Sequence, residues 1–218
     1  MYCYADFLFG VRTHVSQDVE GSTSAFLDSD DPIVRNMPPY LLIPKAFCLV
    51  YSDDKGQVFP TYYATNSFET AEVLKRFDAA LTAVANVPGI GSYELVGWNL
   101  DRVVLSALCA NAAMYNVRLP QRFFRQTGDK WAKTNAHSVD RIFWQGWFSV
   151  DKESESKEAM NLTLTDAARL CNMDTPEVVA QAMNDGGNGD PNELRLASRL
   201  AVVSNLFTRY QGLLAPQR

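Results

Sequence analysis

Leu95-Val-Gly-Trp-Asn-Leu-Asp-Arg-Val-Val-Leu-Ser-Ala-Leu-Cys-Ala-Asn-Ala-Ala-Met-Tyr-Asn-Val117 is the stretch on which the fold turns. It opens as a short apolar strand, Leu95 to Trp98, turns at Asn99 and continues as a helix. Val104, Leu105, Leu108, Cys109 and Ala112 recur at helical spacing and form one apolar stripe. Asp101 falls in the first turn of that helix, where the macrodipole favours a carboxylate. It also stands at the edge of a sheet, where open α/β folds hold ligands. The plain alternative is that Asp101 only starts a helix, since Asp is common in first turns.

Outward from there, Met1 to Val11 is rich in aromatic and branched residues and reads as a central strand, buried on both faces, with Asp6 as its one charge. Arg12 to Pro39 is polar and reads as a long excursion with little regular structure. Phe47 to Ser52 and Gln57 to Tyr63 form a hairpin about Asp53-Asp-Lys-Gly56, and Pro60 marks the return as an edge strand or a bulge. Asn66 or Ser67, with Glu69, caps a helix that buries Val73, Leu74, Phe77, Leu81 and Val84. Pro88 to Gly91 ends it.

Beyond Pro120, Arg122-Phe-Phe-Arg125 mixes base and aromatic at a turn. Ser138 to Trp144 reads as a further strand carrying Asp140. Gln145 to Met160 is a charged insertion without periodicity. Thr163 caps a short helix with Ala167, Leu170 and Cys171 inward. Pro176 opens another helix at its first position. The last helix runs from about Pro191 to Tyr210 on a line of Leu196, Ala197, Leu200, Val203, Phe207 and Tyr210, with Glu193 on the same face one turn earlier. The order predicts a single α/β domain over 1–218, a mixed sheet with helices packed on it, and irregular excursions near 12–40 and 145–160.

Of the 218 residues, 47% are hydrophobic and 21% charged, and the formal net charge is -5, so bulk charge does not advertise nucleic-acid binding. Cys3, Cys48, Cys109 and Cys171 form no C-x-x-C pair and read as reduced, buried thiols of a cytoplasmic protein. The first residues have no basic region and so no secretory signal, and no apolar run suits a bilayer. His14 and His137 have no partner at zinc spacing and no nucleophile motif. Gly89-Ile-Gly91 precedes a strand, so it is no dinucleotide fingerprint. Trp131, Trp144 and Trp147 suit base stacking, though clustered aromatics more often pack a core.

Three carboxylates hold comparable places. Asp6 lies on the central strand, Asp101 follows the strand beside it, and Glu193 opens the last helix. Inward charges at the ends of core elements are costly unless paired or bound to metal. Converging from distant segments, they suit divalent cations that take oxygen ligands.

Gly97-Trp-Asn-Leu-Asp101 resembles the Gly-x-Asn…Asp motif of the DEDD 3'-5' exonucleases of the ribonuclease H-like superfamily. Among these, it looks like the proofreading exonuclease domains of family B DNA polymerases and their stand-alone cousins. Met1 to Gly10 is similar to the strand bearing the first motif, Asp-x-Glu. His137-Ser-Val-Asp140 and the helix from Leu162 to Cys171 resemble the segment that follows in these relatives. The resemblance implies a ribonuclease H-like mixed sheet flanked by helices on both faces. It implies two-metal hydrolysis of single-stranded DNA or RNA from the 3' end with Mg2+ or Mn2+. It also implies Asp6, Asp101 and Glu193 as metal ligands, with Asp140 nearby as a further member of the catalytic set. The departures are at named positions. Leu8 stands where the first motif has Glu, and Asp18-Val-Glu20 is the alternative Asp-x-Glu. The second motif is shortened. Glu193 replaces an Asp, and Asn188 or Gly189 stands where a Tyr or His base lies four or five residues before it. Loss of a general base alone costs about 10²–10⁴-fold. Two functions follow: a slow metal-dependent exonuclease, or a non-catalytic relative that binds nucleic acid or protein.

Overall fold

A computed structural model of the chain describes residues 1–12, 26–52, 58–65, 70–87, 93–120, 136–145, 162–184 and 189–214. Among these residues it is an α/β fold on a six-stranded mixed sheet. The first strand, β1 (Tyr2–Val11), lies inside the sheet, as its two-sided apolar run predicts. A two-residue strand, β2 (Leu27–Asp28), and the hairpin strands β3 (Leu42–Ser52) and β4 (Val58–Ala64) follow. Then come β5 (Glu94–Gly97) and β6 (Ala136–Ser138). The order is β4-β3-β1-β5-β6; β3 runs antiparallel to β1, and β5 and β6 parallel to it. The hairpin thus lies on one side of β1 and the Leu95 strand on the other. β4 is an edge strand and contains Pro60.

The pleat of β1 sends alternate residues to two cores. Cys3, Ala5, Phe7, Phe9 and Val11 pack against α2 (Thr70–Ala85) and α3 (Leu105–Tyr115). The α2 residues Val73, Leu74, Phe77, Leu81 and Val84 are all buried, as their spacing predicts. Tyr4 and Leu8 face the other way, towards the last helix, α7 (Pro191–Leu214). Helices therefore cover both faces of the sheet.

The excursion near 12–40 is more regular than its polarity suggests. Besides β2 it contains α1 (Pro32–Asn36), started by Pro32 and by Asp31, whose carboxylate accepts from Ile33 N at 2.8 Å. A single 3₁₀ turn, Pro39–Leu41, then leads into β3. The expected strand from Ser138 to Trp144 is corrected. β6 stops at Ser138 and Asp140 opens a helix, α4 (Asp140–Gln145). The Asp140 carboxylate accepts from the Ser138 hydroxyl two residues back, a local bond that competes with continuing a strand.

α5 (Leu164–Leu170) is capped by Thr163, as expected, but Leu164, Ala167 and Ala168 are its buried residues, while Leu170 is exposed and Cys171 only half-buried. α6 (Pro176–Met183) begins at its proline. Cys109, read as part of the α3 stripe, is exposed; Cys3 and Cys48 are buried, and none of the four cysteines is in a disulfide. The Asn66 cap, the Asp53 turn, Pro88 to Gly91, Arg122 to Arg125, the insertion up to residue 161, Asp18, Glu20, His14, Trp131 and Trp147 lie outside the described residues. No helix among the described residues is long and apolar enough to cross a membrane.

Candidate functional site

Asp6 sits where β1 changes neighbours. On this side β5 pairs with Tyr2 to Tyr4, and β2 pairs with Leu8 and Phe9. The turn after β2 enters between the two. Its Ser29 hydroxyl lies 3.3 Å from Asp6 Oδ1 and 3.5 Å from Trp98 O, and its carbonyl accepts from Asn99 Nδ2 at 3.1 Å. The end of β5 is shaped for this closeness. A Cβ on Gly97 would stand 2.6 Å from Ala5 O, so only glycine fits. Asn99 takes a left-handed conformation (φ 48°), which Asn tolerates better than most residues. A π-helical turn, Leu100–Val104, precedes α3. In it Asn99 O accepts from both Val103 N (3.0 Å) and Val104 N (3.2 Å).

Across from this turn, α7 presents arginines. Arg199 Nε donates to Asp6 Oδ2 at 2.6 Å and Nη1 to Asp30 Oδ1 at 2.9 Å, with Asp28 Oδ1 3.6 Å from Nε. One turn earlier Arg195 Nη2 donates to Asp28 Oδ2 at 2.5 Å. Asp30 also accepts from Leu164 N at 2.7 Å, tying the turn to the start of α5. Asp6 is 0% exposed and Arg199 4%. Burial alone would lower Arg199, but Asp6, Asp30 and Asp28 together raise it above the ordinary arginine value. Complete burial pushes Asp6 up against the pull of Arg199, and Asp28 pushes the same way. Burial also pushes Asp30 up, but the Arg199 charge and the Leu164 N–H outweigh it and hold Asp30 below the usual carboxylate value.

A pH dependence follows with a definite sign. A carboxyl whose pKa is lower folded than unfolded stabilises the fold above its unfolded value. That contribution fades as the pH falls through the folded value. Urea unfolding of the wild type and of Asp30→Asn, from neutrality down to about pH 3, should show a stability gap that narrows below about pH 4. A gap that is constant or widens towards acid would refute the assignment to Asp30.

The four expected site residues do not gather at one point. Asp6 meets Arg199. Asp101 is in the first turn, as expected, but is ion-paired with Arg141 of α4. The apolar residues of its π turn pack into the core opposite to the one Asp6 faces. Asp140 Oδ1 accepts from Asn99 N at 3.1 Å and from the Ser138 hydroxyl, so it fixes the turn after β5. Glu193 is exposed; the α7 residue that reaches Asp6 is Arg199. Leu8 packs with Ala46, Cys48, Leu196 and Leu200. Tested as a two-cation centre, this set does not fit. Asp6 and Asp101 each already hold a guanidinium, and the first-motif position offers a hydrocarbon.

Sequence reading missed Arg199, Arg195, Asp28 and Asp30. The signal was present. Arg199 falls on the stripe of Leu196, Leu200 and Val203, where an inward charge requires a partner. Asp28-Ser-Asp-Asp31 supplies that charge, though its composition reads as a loop. No protein-family model matches this chain, and no curated protein matches it.

Proposed function

We propose that this chain is a non-catalytic relative of the ribonuclease H-like 3'-5' exonucleases, keeping the fold as a binding module for single-stranded nucleic acid. The observation that carries the reading is the buried Arg199 bridge to Asp6 and Asp30. On the resemblance, the last helix brings an acid to the first-strand Asp, with a Tyr or His base four or five residues before it. Here the acid at that place, Glu193, is exposed, and the α7 residue that reaches Asp6 is Arg199. A fixed protein cation thus stands at the carboxylate that a metal would need, and neither Asn188 nor Gly189, at the base position, can take a proton from water. The strand arrangement also supports the family reading, with a central first strand, a hairpin on one side, a parallel strand on the other and helices on both faces.

The test is digestion of a 5'-labelled single strand with Mg2+ or Mn2+ at large protein excess, with strand binding followed by fluorescence anisotropy. Binding without shortening is the expected result. A ladder that recedes from the 3' end and vanishes in Asp101→Ala would replace this reading with the enzyme. Failure to bind the strand would remove nucleic acid as the ligand.

A further inference from the structure

A second buried guanidinium lies at the carboxyl end of β1. Arg12 donates its backbone N–H to Leu41 O at 2.8 Å, and its side chain crosses to the last turns of α3. Nη2 donates to the Tyr115 hydroxyl at 2.7 Å and lies 3.4 Å from Asn111 Oδ1. Nη1 approaches Met114 Sδ at 3.5 Å, and the guanidinium lies 5.6 Å from the centre of the Tyr115 ring. Asn111 is locked in this pose, because its amide donates to Leu42 O (2.6 Å) and Ala107 O (2.8 Å).

Arg12 is 3% exposed, close to Arg199 in burial and opposite to it in surroundings. Arg199 is met by three carboxylates. The partners of Arg12 among the described residues are all uncharged. Arginine does not shed its proton, so a desolvated guanidinium calls for negative charge. The carbonyl end of α3 offers only about half a unit. The Tyr115 hydroxyl already accepts from Arg12, which leaves its own proton to donate, and its ring is half-buried rather than sealed. The cluster also stands at a strand's carboxyl end, where open α/β sheets take ligands.

We propose that Arg12 and Tyr115 form an oxyanion site that takes a phosphate group. The phosphate is either free or part of a single strand's backbone; only the second source rests on the binding-module reading above. The Tyr115 O–H donates to the anion, and the guanidinium stands behind the hydroxyl to which it donates.

The experiment is thermal unfolding of the whole chain in inorganic phosphate against chloride at matched pH and ionic strength. The wild type, Tyr115→Phe and Arg12→Gln are compared. Once the site is saturated, the wild-type Tm should climb roughly 3–5 °C for each further tenfold of phosphate beyond its response to chloride. Tyr115→Phe keeps the ring against Arg12 and should lose that phosphate-specific climb, so the answer does not depend on Arg12→Gln folding. A wild type that responds alike to both salts overturns the site, as does a climb that survives Tyr115→Phe. Adding an oligothymidylate separates the sources. If the strand abolishes further response to free phosphate, the site reads a strand backbone. If it does not, the phosphate site stands alone and the strand-backbone extension is overturned.

Discussion

Replacing Arg199 with Met should destabilise the protein by about 3–5 kcal/mol, the usual cost of stripping one partner from a buried ion pair. The loss comes less from the vanished attraction than from what remains. Asp6 is wholly buried and Asp30 nearly so, and among the described residues neither pairs with another cation. Arg199→Lys keeps the charge but cannot span both carboxylates with one planar fork, so it should recover only part of the loss. The decisive comparison is a double-mutant cycle. Arg199→Met combined with Asp6→Asn removes the charge stranded deepest and should be less damaging than the sum of the single changes. Chemical denaturation of the four proteins reads this directly. Strict additivity would show that the two groups do not act as a pair.

Trp98→Ala should cost a comparable amount, about 3–5 kcal/mol, the range for emptying a large aromatic site. Trp98 is 0% exposed and packs in the core that joins α5, α7 and Phe143, beside the turn that carries Asn99. Its indole Nε1 is buried and finds no acceptor among the described residues. An unmet buried donor costs about 1–3 kcal/mol. Trp98→Phe should therefore be far milder than truncation, since relief from that donor offsets part of the lost contact. Equal losses for Phe and Ala would show that indole shape, not burial, is what the site requires.

Legibility differed with the range of the interaction. β1, the hairpin and α2 could be read because their burial is written as local periodicity, two-sided in Met1 to Val11 and every third or fourth residue from Val73 to Val84. Asp101 in the first turn was readable for the same reason. Asp140 was misread as a strand residue because one side-chain bond to Ser138, invisible to periodicity, turns the chain into α4. The site was hardest. Arg199 and Asp6 lie 193 positions apart in the chain, and Asp30 is 169 from Arg199. No local pattern pairs them. The choice of Glu193 followed the helix start, whereas the inward face belongs to the residue two turns later.

Pro60 lies on β4, an edge strand of the sheet among the described residues, and bears on self-association. Any second chain laid alongside β4 would need a continuous row of donors to extend the ladder. Edge strands tolerate proline where its nitrogen points away from the sheet, so the outer rung at Pro60 has no hydrogen to give. At the opposite edge β6 is three residues long, too short to template much pairing. A protein with exposed Val58 beside that proline is thereby guarded against growing into ribbons at either margin.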